Sequence, residues 1–339
     1  MRVQLKALAA CAALSLALAA CSSSGGGGAP TGTATPTGGA TATPGAHAPL
    51  NKAADLAVLD QIKVTETDST KGPTLTFTKT PISVSATAVK VLTPGTGAKA
   101  TTDSLVTLKQ SLYVGGSGKL VDNGFGAAKP ASTFYTGDQQ TIPGLLTALV
   151  GSQKGSRIVF AIPPAEAFGS RGQTAASIGP TDNLVVVADV TGITLPQQVA
   201  TGAVVGPVAG QPTVTFDATK GPTITVPKTA APTTLVSQSL IDGTGPVVKS
   251  GQSLIVNYTG ALYAGGTVFD SSWTRKQHFS FQTNTGAVIP GWDKGLVGKK
   301  VGSRVLLVVP PADGYAATAK QGIPPNSTLV FVVDILAAA

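Results

Sequence analysis

Short apolar runs, separated by clusters of Gly, Pro, Asn, Asp and Ser, recur along most of the chain and predict strands joined by tight turns. The clearest are Leu254-Ile255-Val256-Asn257-Tyr258, residues 305–309 and residues 329–336, with a similar run at residues 184–190. Leu254, Val256 and Tyr258 fall at period two, so they share one face of their strand. Helical patterning is confined to two short stretches. One starts at Pro290, runs through Trp292, Leu296 and Val297, and stops at Gly298; the other covers residues 143–150 and stops at Gly151. Proline suits a first helical turn and glycine a helix end. An antiparallel sheet carrying one short helix is the expected unit, an α+β fold.

That unit occurs twice. Lys71-Gly72-Pro73-Thr74 recurs as Lys220-Gly221-Pro222-Thr223, Ile142-Pro143-Gly144 as Ile289-Pro290-Gly291, and Gly155-Ser156-Arg157 as Gly302-Ser303-Arg304. Ile162-Pro163-Pro164-Ala165 likewise matches Val309-Pro310-Pro311-Ala312, and the offset drifts only from 149 to 147 residues. A tandem duplication follows, with units at residues 53–198 and 199–339 and the core of the second at 235–336.

Composition narrows the chemistry. Of 339 residues 12% are charged, for a net charge of +8, and no segment concentrates Lys and Arg into a basic stripe, so a nucleic-acid partner is not expected. The cysteines are Cys11 and Cys21 and the histidines His47 and His278, too few for a Cys/His metal cluster, a Cys-His dyad or a disulfide framework. Neither a metal nor another cofactor is expected.

The N-terminus carries an address. Arg2 and Lys6 precede an apolar stretch, residues 7–20, that is short for a membrane span but suits a signal-peptide core. Leu18-Ala19-Ala20-Cys21 resembles the lipobox of bacterial lipoproteins, which implies cleavage after residue 20 and a diacylglycerol on Cys21. Residues 21–52, mostly Ser, Gly, Ala, Thr and Pro, read as a tether with too little apolar bulk to fold. The expected location is the outer face of the cytoplasmic membrane, held by the lipid.

The second unit carries six tags in order. They are Val256-Asn257-Tyr258-Thr259-Gly260, Val268-Phe269-Asp270-Ser271-Ser272, Phe279-Ser280-Phe281, Val288-Ile289-Pro290-Gly291-Trp292, Pro310-Pro311-Ala312-Asp313-Gly314-Tyr315 and Ile323-Pro324-Pro325-Asn326-Ser327-Thr328-Leu329-Val330-Phe331. Together they resemble the FK506-binding-protein (FKBP) type of peptidyl-prolyl cis-trans isomerase. The resemblance implies Tyr258, Phe269, Asp270, Trp292 and Tyr315 as catalytic residues, with Trp292 beneath the prolyl ring, and Phe279, Val288, Ile289, Ile323 and Phe331 as substrate-binding walls. It also implies that Asp270 accepts from Tyr258 or Arg275, and that the Ile289 N–H and the Tyr315 hydroxyl serve substrate carbonyls. Proline-containing exported polypeptides are the expected substrates and FK506-like macrolides possible ligands. Ala316 departs from the glycine that many members have after the pocket tyrosine.

Such an activity fits a chain poor in His and Cys. Rotation about an X-Pro bond must cross a barrier of roughly 18–20 kcal/mol set by amide resonance, and no bond is broken. An apolar cleft that holds the ring and favours the twisted, less polar amide is sufficient. The alternative is a holdase or adaptor that binds proline segments without turnover.

The first unit reads as degenerate. Aligned on its Leu112-Tyr113 and Gly115-Gly116 pairs, it puts Leu108 opposite Tyr258, or Lys109 with a different gap; Val121-Asp122 matches Phe269-Asp270, Leu145 matches Trp292, Phe168 matches Tyr315 and Val186 matches Phe331. Little or no activity is expected there. Trp273 reads either as an exposed contact for extended substrate or as a loop anchor, and His278 as a solvated side chain.

Overall fold

The computed structural model describes residues 47–66, 71–126 and 128–339. The expected signal peptide, Cys21 and most of the tether lie outside these residues. The first unit comprises α1 (Ala53–Leu59), β1 (Ile62–Thr65), β2 (Thr74–Phe77), β3 (Ala88–Thr93), β4 (Leu105–Val114), β5 (Leu120–Asn123), β6 (Ser132–Tyr135), α2 (Pro143–Leu149), β7 (Arg157–Ile162) and β8 (Leu184–Thr194). The second comprises β9 (Gly202–Val204), β10 (Thr213–Asp217), β11 (Gly221–Thr225), β12 (Val236–Gly243), β13 (Ser253–Leu262), β14 (Val268–Ser271), α3 (Ser272–Arg275), β15 (Phe279–Gln282), α4 (Pro290–Leu296), β16 (Arg304–Val309) and β17 (Leu329–Ala338).

Each unit is built on an antiparallel sheet. Its order is β3-β7-β8-β4-β5 in the first, with β6 also on β4, and β14-β13-β17-β16-β12-β9 in the second, with β15 also on β13. The helices α2 and α4 pack on one face. In the second unit Val305, Leu307 and Val309 of β16 and Leu329, Phe331 and Val333 of β17 join Trp292 and Leu296 of α4 in one core. Pro290 occupies the first turn of α4, and Gly298, at φ +88°, takes the left-handed conformation just past its end.

The sheet has a second covered face. Leu306 and Val308 of β16 and Val330 and Val332 of β17 point away from α4 and pack against Val214, Ile224 and Val226 of the β10–β11 hairpin. In the first unit Val159, Ala161, Val185 and Val187 do the same against Leu75 and Ile62 of the β1–β2 hairpin, with Leu59 of α1 alongside. Each unit is therefore three layers deep rather than a sheet with a helix on one side. Burial on both faces is the reason runs such as 305–309 are apolar throughout instead of alternating. The repeated Lys-Gly-Pro-Thr segment forms the turn and second strand of these hairpins.

A buried Arg–Asp pair links hairpin and sheet in the second unit. Arg304 donates from Nε and Nη2 to the two oxygens of Asp334, at 2.7 Å each, and stacks 3.5 Å from the Phe216 ring centroid of β10. Arg157 and Asp189 repeat the pair in the first unit, where Glu66 also accepts from Arg157. Among the described residues no helix is long and apolar enough to cross a membrane.

Candidate functional site

The tagged residues of the second unit converge on the end of α4. Trp292, 4% exposed, is ringed edge-on by Tyr258 from β13 at 5.1 Å, Phe331 from β17 at 5.3 Å, and Phe281 and Phe279 from β15 at 5.4 and 6.0 Å. Phe269 of β14 extends the wall, 5.7 Å from Phe331. Ile323 is buried in the same cluster, and Val288, Ile289, Phe269, Phe279 and Tyr315 pack against it partly exposed. These partly exposed residues mark the mouth. The indole N–H of Trp292 is buried and has no hydrogen-bond partner among the described residues.

Gly260 makes room for two of the rings. A Cβ there would lie 2.7 Å from Phe269 Cζ and 2.8 Å from Phe331 Cε1, so any side chain would press on both rings. Sequence reasoning included Gly260 in a tag but gave it no role.

One polar network borders the apolar cage. The Tyr258 hydroxyl donates to one oxygen of Asp270, and Arg275 Nη1 donates to the other. Arg275 Nη2 also donates to the Tyr258 hydroxyl at 3.1 Å. Asp270 thus takes both of the expected partners at once, and its two oxygens are occupied. Beneath it, Ser272 Oγ accepts from the Tyr258 backbone N–H at 2.8 Å and donates to Asn257 Oδ1, which fixes β13 against the start of α3.

Burial, followed by the hydrogen bond to Asp270, pushes the Tyr258 hydroxyl up to about 12. Burial and then the Asp270 charge raise Tyr315 as well. A raised tyrosine stabilises the fold below its ordinary value of 10.0, and the contribution is lost as pH rises from there toward about 12. Stability of the protein should therefore fall across that window more steeply than that of a Tyr258→Phe variant. Denaturant unfolding at a series of alkaline pH values checks this, and identical slopes for both proteins would contradict it.

The Ile289 N–H at the mouth donates to no acceptor among the described residues. Ala316, next to Tyr315, sits at φ +49°. The left-handed conformation costs a non-glycine residue about 1–2 kcal/mol, against about 0.4–1 kcal/mol of extra chain entropy for glycine. Ala316→Gly should then stabilise the second domain by roughly 0.5–1 kcal/mol. A midpoint unchanged or lowered in urea would refute that sign.

The first unit fills the same place differently. Gly260 pairs with Phe331 and Asp270, and its counterpart Leu112 pairs with Val186 and Asp122. Counting along β13 and β4, the position of Tyr258 is taken by Gln110, not by Leu108 or Lys109. The Leu-Tyr and Gly-Gly pairs used as landmarks lie two residues out of register. Val121, Leu145, Phe168 and Val186 stand where expected, and Ser132 replaces Phe279. Only a void of about 10 Å³ remains between Gln110, Leu112, Ile142, Leu145, Ile162, Leu184 and Val186, room for about one water.

Two other expectations are settled by packing. Trp273 of α3 is a loop anchor, stacked edge-on against Phe216 at 5.4 Å. His278 is not solvated: its side chain is largely buried and its Nδ1 lies 3.1 Å from Asp103 of the first unit. Its partner is 175 residues away in sequence, so no local signal could reveal it. Among the described residues no group of three or more His, Cys, Asp or Glu could hold a metal.

A family model of FKBP-type peptidyl-prolyl cis-trans isomerases matches residues 96–187 and 245–336, together more than half of the chain. The chain belongs to this family. An FK506-binding protein of Streptomyces anulatus is 40% identical over 105 residues, which is 30% of this chain and 85% of the relative. The FKBP-type isomerase FkpA of Escherichia coli K12 is 44% identical over 102 residues, 30% of this chain and 37% of FkpA. The solved structure of the three FKBP domains of wheat FKBP73 aligns at a TM-score of 0.32 with 22% identity, covering 75% of this chain and 95% of that one. The protein is a tandem FKBP with peptidyl-prolyl cis-trans isomerase activity, and the family binds proline-containing substrates and FK506-like ligands.

Proposed function

We propose that this FKBP is a lipid-anchored isomerase on the outer face of the bacterial cytoplasmic membrane, that residues 1–20 are its signal peptide and residues 21–52 its lipidated tether, and that turnover occurs in the C-terminal domain. Its substrates are proline-containing exported polypeptides, whose uncatalysed isomerisation takes roughly 10–100 s. The observation that carries the choice of domain is the set of rings around Trp292, of which the first unit keeps only the counterpart of Phe281, Phe134, while Gln110, Val121, Ser132 and Val186 stand where Tyr258, Phe269, Phe279 and Phe331 do and Leu145 stands for Trp292.

The chemistry follows from that cage. The prolyl ring lies on Trp292 between Tyr258, Phe269, Phe279, Phe331 and Ile323, and the bond to be rotated sits at the mouth near Tyr315, Ile289 and Val288. Twisting the amide removes resonance and makes its carbonyl less polar, so an apolar wall penalises the twisted form less than the planar one. The Ile289 N–H and the Tyr315 hydroxyl hold neighbouring substrate carbonyls and so anchor the chain on either side of the rotating bond. Asp270, with both oxygens engaged, orients Tyr258 and Arg275 and presents its field to the twisting carbonyl; it moves no proton.

Two experiments test these parts separately. An NMR exchange assay on an X-Pro peptide should show acceleration by the chain lacking its leader; no acceleration by a folded sample would leave a proline-binding holdase. Cell fractionation should place the protein with membranes, and Cys21→Ser should release it. Membrane association unaffected by that substitution would exclude the lipid anchor.

A further inference from the structure

The segment from Arg275 to Phe279 carries a working group of the second pocket at each end. Arg275 holds Asp270 and the Tyr258 hydroxyl, and Phe279 stands against Tyr258 and Trp292. Between them the chain reverses through Lys276, at φ +52°, and the next two side chains leave the second domain altogether. Gln277 Nε2 donates to the Gly137 carbonyl at 3.1 Å, and His278 Nδ1 meets Asp103 Oδ1 at 3.1 Å.

The first domain holds Asp103 in place. The Tyr135 hydroxyl donates to Asp103 at 2.8 Å, and Tyr135 and Leu105 are buried with Ile255, Leu336 and Ala337 of the second domain in one apolar cluster. Burial alone would raise the Asp103 carboxyl, but the contacts with His278 and Tyr135 outweigh it and hold it below the ordinary carboxylate range. The connection between domains is tied down too. Gln197 N–H donates to Leu336 O, Ala200 N–H to Asp334 Oδ2 and Thr201 N–H to Gly302 O.

We propose that the first domain is a positioning element for the second domain's pocket: Asp103 and Gly137 grip His278 and Gln277 and thereby keep Arg275 and Phe279 in their places. The proposal rests on the second domain being the working site. It gives the first domain a use that needs no pocket of its own. A segment released from this grip spends part of its time with Arg275 and Phe279 displaced, and the apparent affinity for substrate drops by the fraction still competent. Substrate that does bind meets a complete site, so KM rises while kcat holds.

The test is steady-state isomerisation by the full chain carrying Asp103→Ala, Gln277→Ala or both, with Asp103→Asn, Trp292→Leu and the unaltered chain beside them. Each single variant should raise KM on the order of threefold and the pair roughly tenfold, with kcat within about twofold. Asp103→Asn, which keeps an oxygen for Tyr135 and His278, should restore most of the loss. A variant that merely unfolds lowers kcat through the amount of active protein and leaves KM alone, which separates a structural defect from lost positioning. Unchanged KM in the double variant, with activity still abolished by Trp292→Leu, overturns the proposal alone. Activity that survives Trp292→Leu brings down both the proposal and the assignment of the site on which it rests.

Discussion

Replacing Gly260 by leucine should close the second pocket and lower kcat/KM by about 100-fold or more while the chain stays folded. One methylene in an apolar pocket is worth about 1–3 kcal/mol, or roughly 10–200-fold, in kcat/KM, and leucine adds four carbons where even a Cβ meets two rings. Phe269 is partly exposed and can yield toward solvent, while Phe331 is buried in the core. The overpacking cost to stability is about 1–3 kcal/mol. The first domain is the precedent: it carries Leu112 at this position, with Val121 and Val186 in place of the rings, and its cleft has shrunk to a void of about 10 Å³. Isomerisation kinetics with a circular-dichroism check of folding would measure it. A folded Gly260→Leu protein with undiminished kcat/KM would mean that the prolyl ring binds elsewhere.

The largest stability effect is expected at Asp334. Its side chain is 2% exposed and that of Arg304 6%, and Asp334→Ala would leave the guanidinium buried with only the Phe216 face for company. Breaking a buried pair from one side costs about 3–5 kcal/mol, because the remaining charge keeps its desolvation penalty without its partner. The equivalent change in the first domain, Asp189→Ala, should cost only about 1 kcal/mol, since Arg157 is 21% exposed and retains Glu66. Urea unfolding of both variants gives the comparison directly. Equal losses would show that burial is not what distinguishes the two pairs.

These effects also show how far the sequence could be read. The duplication, the main strands and the helices α2 and α4 follow from periodicity and punctuation, and Pro290 and Gly298 mark the limits of α4 because each satisfies a backbone requirement locally. The helix α1 and the four-residue α3 fall outside the two expected helical stretches, because both are too short to show a helical period without such punctuation. The cage was legible because six tags in order carry it. The hairpins on the second face of each sheet carry no signal that places them there by itself; the unbroken apolar runs 305–309 and 329–333 require a cover on that face, and the repeated Lys-Gly-Pro-Thr segment belongs to that cover.

The placement of Leu108, rather than Gln110, opposite Tyr258 has a simple cause. The repeat tags drift from an offset of 149 to 147, so a position between them should differ by 148, as Val121 and Phe269 do; the Leu-Tyr landmark implied 150. Two residues of slip keep a side chain on the same face of a strand, so the hydrophobic pattern gave no warning. The pairing of His278 with Asp103 was hidden for a different reason, because contacts between domains leave no periodicity in either partner.

Whether one pocket or two turn over substrate is decided most directly by assaying the full chain with Trp292→Leu, in which the first domain is untouched. The cage around Trp292 predicts that X-Pro isomerisation falls to near the uncatalysed rate, because the first domain offers Gln110, Leu112 and Leu145 in place of a ring-lined floor. Acceleration equal to that of the unaltered chain would contradict the assignment and place the activity in the first domain.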